Sequence, residues 1–153
     1  MTRLDIAGAL AFLARELCEQ VVIYATAGSD RTRIHQTEPL PNLRGFGLAG
    51  AVATAAKKLG GGGIFTRQCL EYIRQREDPP DRIIVFSDSQ DCDLNNKTPN
   101  PFGPFNYLID VSAHQRGVAY EGLWTAEISG WSERVLNFVA GCEGLALESE
   151  NDA

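Results

Sequence analysis

Leu4, Ile6, Ala7, Leu10, Ala11, Leu13, Ala14 and Leu17 recur at helical spacing, while Arg3, Asp5, Arg15, Glu16 and Glu19 fall mostly elsewhere. The pattern predicts an amphipathic helix over residues 3–19. The β-branched run VVIYA, residues 21–25, reads as a short strand. Gly28, Ser29 and Asp30 then give a turn signal, and the alternating polar run at 31–37 reads as a second strand at a sheet edge. Pro39 and Pro41 interrupt the chain before a helical pattern over 43–59, carried by Leu48, Val52, Ala55, Ala56 and Leu59. Four glycines, 60–63, end that helix, and another is expected over 65–75. Ile83, Ile84, Val85 and Phe86 form an uninterrupted apolar run, the mark of a strand buried on both faces. A long loop rich in Asp, Asn, Pro and Gly is expected over 91–104, a buried strand over 105–111, a last short strand over 125–128 and a closing helix over 132–139. From Gly141 the chain becomes an acidic tail. Helix, strand, strand, helix, helix, strand, strand, strand, helix is an α/β order. It implies a doubly wound, mainly parallel sheet with an antiparallel edge strand.

The apolar run at 83–86 leads straight into Ser87, Asp88, Ser89 and Gln90. In open α/β sheets ligands collect beyond the carboxyl ends of the strands, so Asp88 stands where a functional carboxylate is expected, and equally where a loop aspartate would serve its own turn. The glycine run invites comparison with anion cradles, but no Lys-Ser or Lys-Thr follows it and no GxGxxG can be completed. A helix-to-helix turn is the plainer reading. Asp91 and Asp93 lack the spaced ligands, glycine and closing glutamate of a calcium loop and read as solvated acids. His35 has no partner at ligand spacing and reads as an edge-strand side chain.

Composition narrows the function classes. At 153 residues, with 44% hydrophobic and 22% charged positions, the chain suits one globular domain, and no apolar run has the length of a membrane span. Without a signal-peptide pattern, a soluble cytoplasmic protein is expected. Cys18, Cys69, Cys92 and Cys142 are too scattered for a zinc motif and suit free thiols. A formal charge of −6 argues against a broad phosphate-binding surface.

The helix RLDIAGALAFLARELCE, the strand VVIYATAGS, the glycine-rich turn into a helix, and the segments DRIIVFSDSQD, NYLIDVSAHQRGVAYEG and ISGWSERVLNFV together resemble a known domain. It is the von Willebrand factor A domain at the C-terminal end of bacterial Ro-type (TROVE) ribonucleoproteins. The likeness spans nearly all of residues 2–140 and is strongest over 81–90 and 107–138. It implies one such domain over residues 1–142, followed by an acidic tail over 143–153, with a metal-ion-dependent adhesion site at the top of the sheet. Such sites hold magnesium through a DxSxS loop, a Thr from a second loop and an Asp from a third. Asp88 matches the third element. The second falls on GGGGIFT, where Ile64 takes the matching position and Thr66 is the nearest hydroxyl.

The first element, with the strand that carries it, has no counterpart here, so the domain is expected to be N-terminally incomplete. Magnesium would then have Asp88 and Thr66 as its candidate ligands, and a single carboxylate is too few for a tight site. Strand 21–25 and strand 83–86 would border an empty slot. A missing upstream part of the same polypeptide, a protein partner that donates the strand, or closure of the sheet around the gap would each resolve it.

The resemblance implies a non-enzymatic binding or scaffolding module that meets RNA only through a separate TROVE ring domain and has no membrane role. The competing expectation is a small α/β hydrolase or phosphotransfer enzyme using Asp88 with His114, which sit at the ends of consecutive predicted strands. No GxSxG elbow accompanies that pair.

Overall fold

The computed structural model describes residues 2–60, 62–88, 90–93, 98–112, 122–132 and 134–145. Its elements are α1 (Arg3–Leu17), β1 (Tyr24–Ser29), β2 (Ile34–Pro39), α2 (Gly45–Leu59), α3 (Thr66–Arg74), β3 (Arg82–Ser87), β4 (Phe105–Asp110), β5 (Ala126–Ser129) and α4 (Val135–Cys142). That succession is the one the hydrophobic pattern gives. The strands pair as two sheets, an antiparallel β1-β2 hairpin and a parallel β3-β4-β5 sheet.

α1 starts where it does because Thr2 caps it. The Asp5 amide donates to Thr2 Oγ1 at 3.1 Å and the Thr2 amide to Asp5 Oδ2 at 2.6 Å, a reciprocal box that satisfies two end groups. Thr2's hydrogen bonds hold the exposed Asp5 carboxyl below its ordinary range. At the other end Arg15 is buried, and its Nη1 donates to the Val21 carbonyl at 2.7 Å and to Asn42 Oδ1 at 2.6 Å. A cation in the last turn suits the helix dipole. Here it also ties α1 to the entry of β1.

The hairpin lies three residues later at its first strand than the pattern predicts, 24–29 instead of 21–25, and its second strand is 34–39 instead of 31–37. Gly28 is the reason. It sits inside β1 because the Phe65 ring packs directly on it: a Cβ there would come within 2.2 Å of a ring carbon. A glycine that looks like a turn residue is thus a strand residue admitting a close neighbour. Asp30 to Arg33 make the turn, and Arg33 takes the left-handed conformation with φ 59°.

Thr26 and Thr37 face one another across the hairpin with their hydroxyls 2.8 Å apart. On that face Tyr72 of α3 meets the Tyr24 and His35 rings edge-on, whereas Ala25 and Ile23 turn to Leu48, Val52 and Ala55 of α2. The hairpin is therefore covered by α2 on one face and α3 on the other.

In the parallel sheet, Ile84, Phe86, Ile109, Val111 and Ile128 share one face with Leu10 and Ala14 of α1 and Val135 and Leu136 of α4. α4 is held down by Glu143, its C-terminal cap residue, which the sequence reading assigns to the tail. Glu143 accepts from Arg82 Nη2 at 2.7 Å and from the buried Tyr107 hydroxyl at 3.1 Å. Arg82 holds the Glu143 carboxyl below its usual range, and burial followed by Glu143 pushes the Tyr107 phenol up to about 12. α1 touches both sheets, since Phe12 joins the hairpin cluster while Leu10 and Ala14 join the other. Among the described residues no helix is long and apolar enough to cross a membrane.

Gly28→Ala is expected to destabilise the chain by about 2 kcal/mol through overpacking against Phe65, as read from urea unfolding. Adding Phe65→Leu should recover part of that loss; an unchanged midpoint for Gly28→Ala would contradict the packing described.

Candidate functional site

The carboxyl ends of β3 and β4 bring Ser87, Asp88, Asp110 and Ser112 to one end of the parallel sheet. Register places Ser87 beside Asp110, and the Val111 amide donates to the Ser87 carbonyl at 2.8 Å. Asp110 is buried, and its Oδ1 accepts from the Ser112 amide at 2.8 Å and the Ser112 hydroxyl at 2.6 Å. Sequence reasoning misses Asp110, although NYLID repeats the apolar run closed by an acid that draws notice to Asp88.

Asp88 is partly buried and its two oxygens are engaged. Oδ2 accepts from Arg3 Nη1 at 3.1 Å, and Oδ1 from the Gln90 amide at 3.2 Å, a turn closed by the aspartate itself. The pair's side chains are 49% and 23% exposed, which puts its worth at no more than about 1 kcal/mol. Its chemical effect is to commit Asp88 Oδ2 to a cation supplied by this chain.

Thr66, the other expected ligand, is the first residue of α3. It is buried, and its amide donates to Asp91 Oδ1 at 3.3 Å. Asp93 takes the next amides. Its Oδ2 accepts from the Arg67 amide at 3.1 Å and the Gln68 amide at 3.4 Å, and its Oδ1 from Gln68 Nε2 at 2.9 Å. Phe65 at the N-cap offers no capping side chain, so two acids from the loop after β3 satisfy the first-turn amides of α3. Asp91 and Asp93, expected to be solvated, are helix caps. Local spacing reveals a cap only when it lies just before its helix, and these lie beyond it.

The glycine run is a packing device. A Cβ at Gly62 would fall 1.9 Å from the Gly28 carbonyl oxygen, and one at Gly63 would fall 2.6 Å from both Asp30 Oδ1 and Cys92 Sγ. The Gly63 amide donates to Asp30 Oδ1 at 3.2 Å, and Ile64 bridges Asp91 in parallel. Arg33 Nη2 donates to the Cys92 carbonyl, with the guanidinium 5.4 Å from the Phe65 ring centre. Arg33 thus links the hairpin to the loop that leaves β3.

The two expected magnesium ligands are otherwise engaged, Asp88 by Arg3 and the Gln90 amide and Thr66 through its amide by Asp91. Among the described residues no group of three or more His, Cys, Asp or Glu side chains converges to hold an ion, and the carboxylates nearest Asp88 in sequence are committed to backbone amides. His114, the base of the hydrolase expectation, lies outside the described residues. His35 is on β2, its Nδ1 2.7 Å from Thr37 Oγ1, and burial lowers its pKa below the ordinary 6.5.

Asp93→Ala is expected to cost about 1–2 kcal/mol in urea unfolding, with Asp93→Asn costing less because an amide oxygen still caps. A depressed histidine pKa means that the fold favours the neutral ring. Its contribution is full above pH 6.5 and is lost as pH falls through the folded-state value. The urea midpoint should therefore drop between pH 7.5 and 5.5, and His35→Gln should flatten that drop.

Comparison with known proteins finds no match for this chain: no family model, curated protein or solved structure aligns with it.

Proposed function

We propose that the chain is a non-enzymatic binding or scaffolding module of the von Willebrand factor A type within a Ro-type (TROVE) RNA-binding protein, with a degenerate metal-ion-dependent adhesion site. It makes protein contacts, and any RNA is held by a separate ring domain of that protein. The observation that carries the reading is the use made of the acids at the strand ends. Asp88 is matched by Arg3, and Asp91 and Asp93 are spent on the α3 amides. A general acid or base needs a reacting proton within hydrogen-bond reach, and a carboxylate whose two oxygens already accept from Arg3 and the Gln90 amide leaves little room for one. The formal charge of −6 supports a role away from the phosphate backbone.

Calorimetric titration of the whole chain with magnesium, run beside a screen of phosphomonoester and carboxylic ester substrates, tests the reading. The expected result is magnesium binding no tighter than about 1 mM, equivalent to about 4 kcal/mol of binding free energy, and no turnover. Turnover that Asp88→Ala abolishes would replace the module with an enzyme.

A further inference from the structure

Among the described residues, the borders that the two sheets turn toward one another carry backbone that no other strand pairs. The Leu40 amide donates to the Ile23 carbonyl, and antiparallel pairing alternates, so Ala25 and Ala27 bond to β2 while the amides and carbonyls of Tyr24 and Thr26 point away from it. In the parallel sheet the Ser87 carbonyl accepts from Val111, so Val85 and Ile83 bond to β4 and the main-chain groups of Ile84 and Phe86 point away. Among the described residues β1 pairs with β2 alone and β3 with β4 alone.

Three features show that this is an interval with defined walls. α1 spans it, resting Leu10 and Ala14 on the β3 side and Phe12 on the β1 side. Gly62 to Ile64 close its upper end, packed on the Gly28 carbonyl and bridged in parallel to Asp91. That upper end is thus already filled by an extended stretch of this chain. The hairpin's outer border is treated differently: Gln68 Oε1 accepts from the outward His35 amide and its Nε2 donates to the Arg33 carbonyl. Pro39, also outward, has no amide to satisfy.

The geometry points to a strand-acceptor site: the interval between Tyr24–Thr26 and Ile84–Phe86 takes up one extended apolar segment of a partner polypeptide, hydrogen-bonded on both sides. The occupant is set by the walls. Two open rows of donors and acceptors specify extended backbone, as in β-strand addition. The flanking β3 carries Ile83 and Val85 on one face and Ile84 and Phe86 on the other, so the segment must be apolar at successive positions rather than alternating. Strand pairing alone carries this assignment, without the family likeness.

Residue-resolved amide exchange on the full chain tests it, with and without a lysine-flanked peptide of about six Val and Ile residues. Alone, Tyr24, Thr26, Ile84 and Phe86 should exchange at least about tenfold faster than Ala25, Ala27 and Val85; saturating peptide should slow them about tenfold. The same peptide N-methylated at alternate amides should protect none of them. Equal protection before peptide is added would mean that the edges are already paired, and would overturn the proposal. So would absence of protection at saturation, protection by the N-methylated peptide, or protection that rises with protein concentration alone, which would make a second copy the occupant. None of these outcomes bears on the magnesium and turnover experiment, so failure here leaves the module reading standing.

Discussion

The packing of α1 against two sheets at once is what makes these residues a single body. Strand pairing, the usual way an α/β layer is held together, stops at β1 on one side and β3 on the other among the described residues. The helix carries the connection instead, with one stripe of side chains buried beside Ile109 and Val111 and Phe12 packed beside Ile23 and Ala25. Its ends are fixed by the Thr2–Asp5 box and by Arg15 on the Val21 carbonyl, so it can neither slide nor unwind without releasing one sheet. Side-chain packing is less directional than a hydrogen-bonded ladder, which leaves the relation between the sheets tied also to Arg33, the Ile64 bridge and the Tyr24–Glu77 hydrogen bond.

The strand-end grouping follows from that arrangement. The beginning of α1 lies at the carboxyl end of β3, which is how Arg3 reaches Asp88. The loop after β3 meets the beginning of α3, which is how Asp91 and Asp93 reach its amides. Asp88, which looks like chemistry along the chain, and Asp91 and Asp93, which look like solvated loop acids, are thereby all turned to structural work. Each places negative charge beside positive charge or beside a helix N-terminus, the arrangement that electrostatics favours.

Much of the fold is legible in the chain because period and punctuation agree. The apolar run at 83–86, the stripe of α1 and the glycine that ends α2 in the left-handed conformation each say the same thing locally and globally. The pattern places the hairpin too early because Gly28 carries a turn signal in sequence and a packing role in space; only the position of Phe65 distinguishes them. The caps on α3 are illegible for a related reason, being about 25 residues from the amides that they satisfy. Asp110 is the different case, a residue whose signal is present and passes unread. Local grammar reports what a residue can do, and distant partners decide which of its abilities is used.

The hairpin's two borders are finished differently, and that asymmetry governs how the molecule can aggregate. Gln68 and Pro39 blunt the far side of β2, while β5 at the opposite extreme is four residues long and shows the charged Glu127 to water. An open fibril requires two free, complementary rims on every unit so that each addition creates the next template. Among the described residues the outer edge of β2 is partly occupied and that of β5 is short and charged, so neither makes a good template for stacking without limit.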